Sequence, residues 1–281
     1  MYVIDWYDKN QCHSTNPDVH NRSLGRIYRV SHQNDQWVRV DLAEMSSLEL
    51  VELQLHQNDW YVRHARRLLQ ERGPDRAVHA ALKRMLRDNP DVTRRLRALW
   101  ALHATLGLSD RELVALLADR DEHVRGWAVQ LLAEDREVPR QAVARMTTMA
   151  KDDPSPFVRM YIASALQRMP VEQRWEVLAG LSSHAEDADD HNLPLMVWYA
   201  AEPLAASDMD RAIDMALQAE SPRILPFTVR RVAESKSDEA VRTLASHLSR
   251  VSNQDQRIEL MSGLNALVIQ EDSTDAGEER N

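Results

Sequence analysis

The sequence predicts an all-α chain, a right-handed solenoid of about seven helix pairs preceded by a short β segment, and three observations carry that expectation. Seven glycines and two phenylalanines in 281 residues, set against frequent Ala, Leu, Arg, Glu and Gln, favour helix, because those side chains lose little rotamer freedom there. From Ala43 onward the apolar residues recur with the 3.6-residue period of an amphipathic helix. One segment also returns along the chain at nearly constant spacing, the mark of a repeat array.

Taken in order, residues 1–41 have a different texture from the rest. Tyr2 to Trp6, Arg26 to Val30 and Trp37 to Asp41 are short runs of β-branched and aromatic residues and read as strands, separated by a polar loop from Asp8 to Leu24. Two or three strands bury no face alone. In Ser46-Ser-Leu-Glu49 and Ser109-Asp-Arg-Glu112 a serine oxygen and a glutamate three residues on satisfy each other's orphan amides, so both mark helix starts. Gly73-Pro74 and Gly107 sit where helices should stop. The resulting helix pairs are placed at 47–71, 74–106, 109–133, 138–168, 171–205, 208–234 and 238–269, within a solenoid spanning 42–270. Residues 271–281 are acidic and polar with no apolar face, and are expected to form a disordered tail.

The repeat is read most clearly in three copies, Asn58 to Leu69, Arg120 to Leu132 and Pro154 to Leu166, with weaker ones at Asp91 to Leu102, Leu193 to Leu204 and Ser221 to Val232. Aligning Val62, Leu96, Val124, Val158 and Leu195 gives steps of 34, 28, 34 and 37 residues, one helix pair per step. An Asp or Pro turn, then Val-Arg, then Ala, then Leu resembles the second helix of a HEAT repeat. Val and Leu face the core, the small Ala lets neighbouring helices approach, and Arg reaches across to an acid or a carbonyl.

At the front, Tyr2-Val-Ile-Asp-Trp-Tyr-Asp8, Cys12-His13, His20 and Leu24-Gly-Arg-Ile-Tyr-Arg-Val30 resemble the end of a dehydrogenase-type β-propeller. The order of a propeller-like end and then HEAT repeats is similar to the bacterial PVC-type haem-binding CxxCH proteins, a membrane-bound dehydrogenase family that joins a propeller, a HEAT region and a c-type cytochrome. That resemblance implies an exported or periplasmic multidomain parent, of which this chain is a fragment or a shortened relative. Cys12 is the only cysteine, so the chain has no CxxCH and no attachment point for haem c, and most of the propeller is missing. The implied redox activity, a component of a cytochrome-linked sugar or alcohol dehydrogenase, therefore stays with the parent as the alternative function.

Charge and motif content narrow the function classes. A net charge of −9 repels polyphosphate at long range, so nucleic acid is not expected as a partner. The arginine-rich stretch from Arg63 to Arg97 is expected to be a solvated, salt-bridged face, since no aromatic residues interleave it for base stacking. No apolar run approaches the ~20 residues of a membrane span, and Met1 starts inside a predicted strand with no export signal before it. The chain is expected to be soluble, with its compartment undetermined.

Cys12, His13 and His20, with Asp5 and Asp8 nearby, offer ligands for zinc or copper, but their spacing matches no zinc pattern; side chains bonding an irregular loop are the plainer expectation. His184 to His191 gathers four acids and two imidazoles without the glycine or spacing of an EF-hand, and is expected to be an inter-helix loop. No nucleophile elbow, phosphate-cradling glycine loop or His-Glu-x-x-His helix is present, so no catalytic residue, metal or cofactor is assigned. Arg63, Arg97, Arg125 and Arg159 recur at one repeat position. They are expected to tie adjacent repeats together through Asp59, Asp91, Asp121 or Asp153, or alternatively to meet an acidic partner on the concave face. Trp60, Trp100, Trp127, Trp175 and Trp198 are expected to be partly buried, and Met146, Met149, Met160 and Met169 to fill gaps in the core. The function expected from all this is a non-catalytic scaffold binding a protein partner or holding flanking domains.

Overall fold

The computed structural model describes residues 1–4, 15–16, 18, 25–32 and 39–278, and these form two compact units, Met1–Met45 and Ser46–Asn281. In the first, β1 (Tyr2–Ile4) pairs antiparallel with β2 (Ile27–Arg29), Val3 opposite Tyr28. Both strands are exposed along their length. The third expected strand does not form among its described residues: Arg39 to Asp41 carry no ladder, and Asp41 instead caps a 3-10 turn, Leu42–Glu44, accepting from the Ala43 amide.

Among the described residues, the second unit is an all-α solenoid of fourteen helices in seven pairs. They are α1 (Ser47–Glu52), α2 (Asp59–Arg72), α3 (Arg76–Asp88), α4 (Val92–Ala104), α5 (Asp110–Leu116), α6 (Glu122–Leu132) and α7 (Arg140–Asp152). Then follow α8 (Pro156–Leu166), α9 (Trp175–Ser182), α10 (Leu193–Ser207), α11 (Met209–Leu217), α12 (Ile224–Ala233), α13 (Asp238–Arg250) and α14 (Gln254–Glu278). α14 thus extends over most of the segment expected as an acidic tail.

The helices start where local chemistry dictates. Ser46 and Ser109 form both expected capping boxes, each hydroxyl accepting from the amide three residues on while Glu49 and Glu112 reach back to the serine amides. Asn58, Asp91 and Asp121 cap α2, α4 and α6 through their side-chain oxygens. Gly73 ends α2 at φ +82, a conformation open to glycine. Gly107 serves a different purpose from the one expected. The left-handed residue there is Leu106 (φ 58), and a Cβ on Gly107 would lie 2.7 Å from the His79 ring.

Even-numbered helices pack each on the next from α2 to α14, and odd-numbered ones form the other layer, with contacts α1–α3, α5–α7, α7–α9 and α11–α13. Between the layers lie Leu69, Leu99, Leu102, Met146, Ile162 and Leu204, all fully buried. Each such side chain contributes about 1.5–3 kcal/mol, and only stacking makes their faces continuous. Met149 and Met169 are buried as expected, whereas Met160 is half-buried. Among the described residues, no helix is long and apolar enough to cross a membrane.

Candidate partner-binding face

Two side-chain systems run along the even-numbered helices. The first is a spine of arginines and aspartates. Arg95 donates to the Leu86 carbonyl and, through both terminal nitrogens, to the Asp119 carboxylate. Arg125 donates to the Asp119 carbonyl (2.9 Å) and twice to the Asp153 carboxylate (2.8 Å each). Arg159 repeats the arrangement one pair later, on the Asp153 carbonyl (2.9 Å) and the Asp187 carboxylate. The carboxylates of Asp119 and Asp153 are thus each held by the arginine of one repeat and their carbonyls by the arginine of the next, while Asp187 ends the series, its carbonyl accepting from the Asp190 amide.

These pairs are buried, so their geometry matters. The Asp153 carboxylate also accepts from the Ser155 amide, which fills a further lone pair. The Asp153 hydrogen bonds hold Arg125 more firmly protonated than a free guanidinium. For Arg159 burial works against the charge, but hydrogen bonding and attraction from Asp187 outweigh it and the net shift is upward.

The other two expected members of this set sit differently. Arg63 stays on its own helix in an i,i+4 pair with Asp59, its side chain 75% exposed. Arg97 does link repeats, but backwards, to the Gln54 and His56 carbonyls and to Asp59. Asp91 and Asp121, expected as partners, are occupied as helix caps. Much of the arginine-rich stretch is ion-paired: Arg67 with Glu71, Lys83 with Glu112, Arg87 with Asp88, and Arg94 with Asp91.

The remaining titratable clusters are structural too. In the segment from His184 to His191, His184 bonds Glu186 and the Ala150 carbonyl, Asp187 takes Arg159, and Asp190 caps the Leu193 amide. The His184 bond holds Glu186 below the usual carboxylate range. Asp210, Asp214 and His247 approach one another between α11 and α13, but the Arg250 guanidinium lies against the imidazole and supplies that cluster with a cation. Cys12, His13 and His20 lie outside the described residues.

The second system is aromatic, and apart from the exposed Trp60 its tryptophans are partly buried, as the sequence predicts. Trp100, Trp127 and Tyr161, on α4, α6 and α8, are half-buried and stand ring against ring, with centroids 5.0 Å and 6.2 Å apart. Phe157 and His123 extend the row at 4.6 Å and 4.7 Å. Gly126 makes room for it, since a Cβ there would lie 2.7 Å from the Phe157 ring. Trp60, on α2, is 49% exposed at one end, and Trp198 meets Phe227 edge-on at the other. Trp175 belongs to the odd row, buried under Arg211 at 4.4 Å.

Beside this row lies an open groove of about 360 Å3 across α6, α8 and α10, lined by Trp127, Gln130, Met160, Tyr161, Ser164, Asn192 and Met196, with no charged group. Such a surface suits apolar side chains of a partner, with Gln130, Ser164 and Asn192 available to its backbone. The sequence predicts partial burial for these tryptophans, which Trp100, Trp127 and Trp198 show, but not that they form one row. The available signal was their register, since Trp100, Trp127, Tyr161 and Trp198 all fall three or four residues after the aligned core position.

A family model of HEAT repeats matches residues 111–193, the stretch that contains Asp119, Arg125, Asp153, Arg159 and Asp187. No curated protein matches the chain. Among solved structures, the designed armadillo repeat protein YIII(Dq)4CqI aligns over 79% of this chain and 100% of its own, at 16% identity and TM-score 0.34. The designed armadillo repeat protein YIII(Dq.V1)4CPAF in complex with peptide (KR)4 aligns over 78% and 98%, at 16% and 0.34. Computationally designed armadillo repeat proteins for modular peptide recognition align over 79% and 99%, at 16% and 0.33.

Proposed function

We propose that this chain is a non-catalytic scaffold that holds a segment of a protein partner along its even-numbered helices. The observation that carries this reading is the partly buried row Trp100, Trp127 and Tyr161 beside an uncharged apolar groove. A monomer gains little by keeping such rings at its surface, whereas a partner that covers them gains apolar burial and ring stacking. The Arg–Asp spine acts beneath this face. By locking the successive middle repeats together through the buried bidentate pairs Arg95–Asp119, Arg125–Asp153 and Arg159–Asp187, it keeps the rings in register, so binding requires little ordering of the scaffold. In this reading residues 1–41 and 42–270 are separate functional parts, with the solenoid carrying the contact. Nothing in the comparisons supports the propeller, cytochrome or dehydrogenase parentage implied by the front of the chain, and no redox activity is carried over.

Photo-crosslinking tests the face directly. With p-benzoylphenylalanine at Tyr199, exposed on the even row, discrete adducts are expected in cells expressing the full chain. The same group at Arg145, exposed on the odd row, should give none. Equal adducts from both positions, or none from Tyr199, would overturn the assignment.

A further inference from the structure

The aromatic row begins at an arginine that lacks a counter-ion. Arg66, on α2, is half-buried with its guanidinium 5.4 Å from the centre of the Trp100 ring, and among the described residues it forms no ion pair and no hydrogen bond. Its neighbours Arg63 and Arg67 are neutralised by Asp59 and Glu71. Burial pulls Arg66 below the ordinary guanidinium range; attraction from Asp59 opposes this in part, and the smaller repulsion from Arg63 adds to it. A guanidinium presents five donors in a planar fork, and one left without an acceptor at a ring-lined surface is matched by an incoming carboxylate.

We propose that the partner segment is acidic and apolar: an extended stretch whose Asp or Glu carboxylate engages Arg66 and whose apolar side chain fills the groove at Trp127, Met160, Tyr161 and Met196. This rests on the function proposed above and adds the chemistry and length of the ligand. Packed helices lie about 8–10 Å apart, so the two and a half helix spacings from the α2–α4 boundary to α8 amount to about 20–25 Å. At about 3.3 Å per residue, the carboxylate and the apolar anchor are separated by about six to eight residues of extended chain. The uncharged groove sets the order of the two features along the solenoid, acid toward α2 and apolar anchor toward α8. A basic segment is disfavoured, because its cation would meet Arg66.

The test is selection of random dodecapeptides displayed on phage against the full chain, followed by fluorescence polarisation with the enriched peptides as synthetic probes. Enriched sequences should carry Asp or Glu about six to eight residues from an apolar residue. Arg66→Gln should weaken them at least tenfold and flatten their salt dependence, and Arg66→Glu should restore binding to a peptide whose acid is replaced by Lys. Trp127→Ala should abolish binding; Met196→Gln, at the groove edge, provides the same reading if Trp127→Ala fails to fold. Peptides that need Trp127 yet lack acids and ignore Arg66→Gln would overturn the acidic partner and leave the face assignment standing. Absence of any binder sensitive to Trp127→Ala or Met196→Gln would overturn both.

Discussion

Arg159 grips both carboxylate oxygens of Asp187, 28 residues further on, while its third nitrogen holds the Asp153 carbonyl, and both charged side chains are almost fully buried. Removing one partner leaves the other charge buried without compensation, which costs about 3–5 kcal/mol. Arg159→Met is therefore expected to lower the urea midpoint strongly. Arg159→Met combined with Asp187→Leu should recover much of the loss, because a buried ion pair is often replaceable by apolar packing. Arg63→Met, at an exposed pair, should change stability by less than about 1 kcal/mol. Equal effects of Arg63→Met and Arg159→Met would contradict the spine.

Acid sensitivity has a definite sign at Glu112. The Lys83 ammonium (2.5 Å) and the Ser109 amide and hydroxyl hold its carboxylate below the ordinary 4.5. A depressed folded-state pKa gives stability that is complete above the unfolded value and is lost as pH falls through the folded one. Glu112→Gln should thus cost up to about 1 kcal/mol at pH 7, and its melting temperature should converge on that of the wild type as pH falls below about 4.5. Parallel melting curves across that range would contradict the assignment.

Trp100 and Trp127 meet edge to face at 5.0 Å across α4 and α6. A double-mutant cycle to Leu at both positions should give a coupling of about 0.5–1.5 kcal/mol in stability. The same cycle between Trp100 and Trp175, which occupy different layers, should give none above about 0.3–0.5 kcal/mol.

Much of the fold was legible because it is written locally. Ser46 with Glu49 and Ser109 with Glu112 announce helix starts within four residues, and the Val62 to Leu195 register announces the stacking. The spine was legible only on one side. Arg125 and Arg159 could be found by their repeat position, but Asp187 lies in a 3-10 turn of an irregular link, and its pairing depends on how far each helix pair is offset from the last. Arg95 was hidden because it lies two residues before Arg97, the arginine that the aligned register selects. The partial burial of Trp100 and Trp127 was legible, but their sharing one face with Tyr161 was not, because three or four residues after a core position is the flank of a helix. Whether that flank meets a neighbouring helix or the surface is decided by the packing angle, which no single repeat encodes.

The most direct test of the even-row face is an indole N–H spectrum of the 15N-Trp-labelled full chain, titrated with a peptide enriched in the selection. Trp100 and Trp127 are expected to shift together and saturate at one binding constant, while Trp175, buried under Arg211 in the other layer, stays in place. Movement of Trp175 with Trp100 and Trp127 unchanged would contradict the assignment of the even-numbered helices as the partner-binding face.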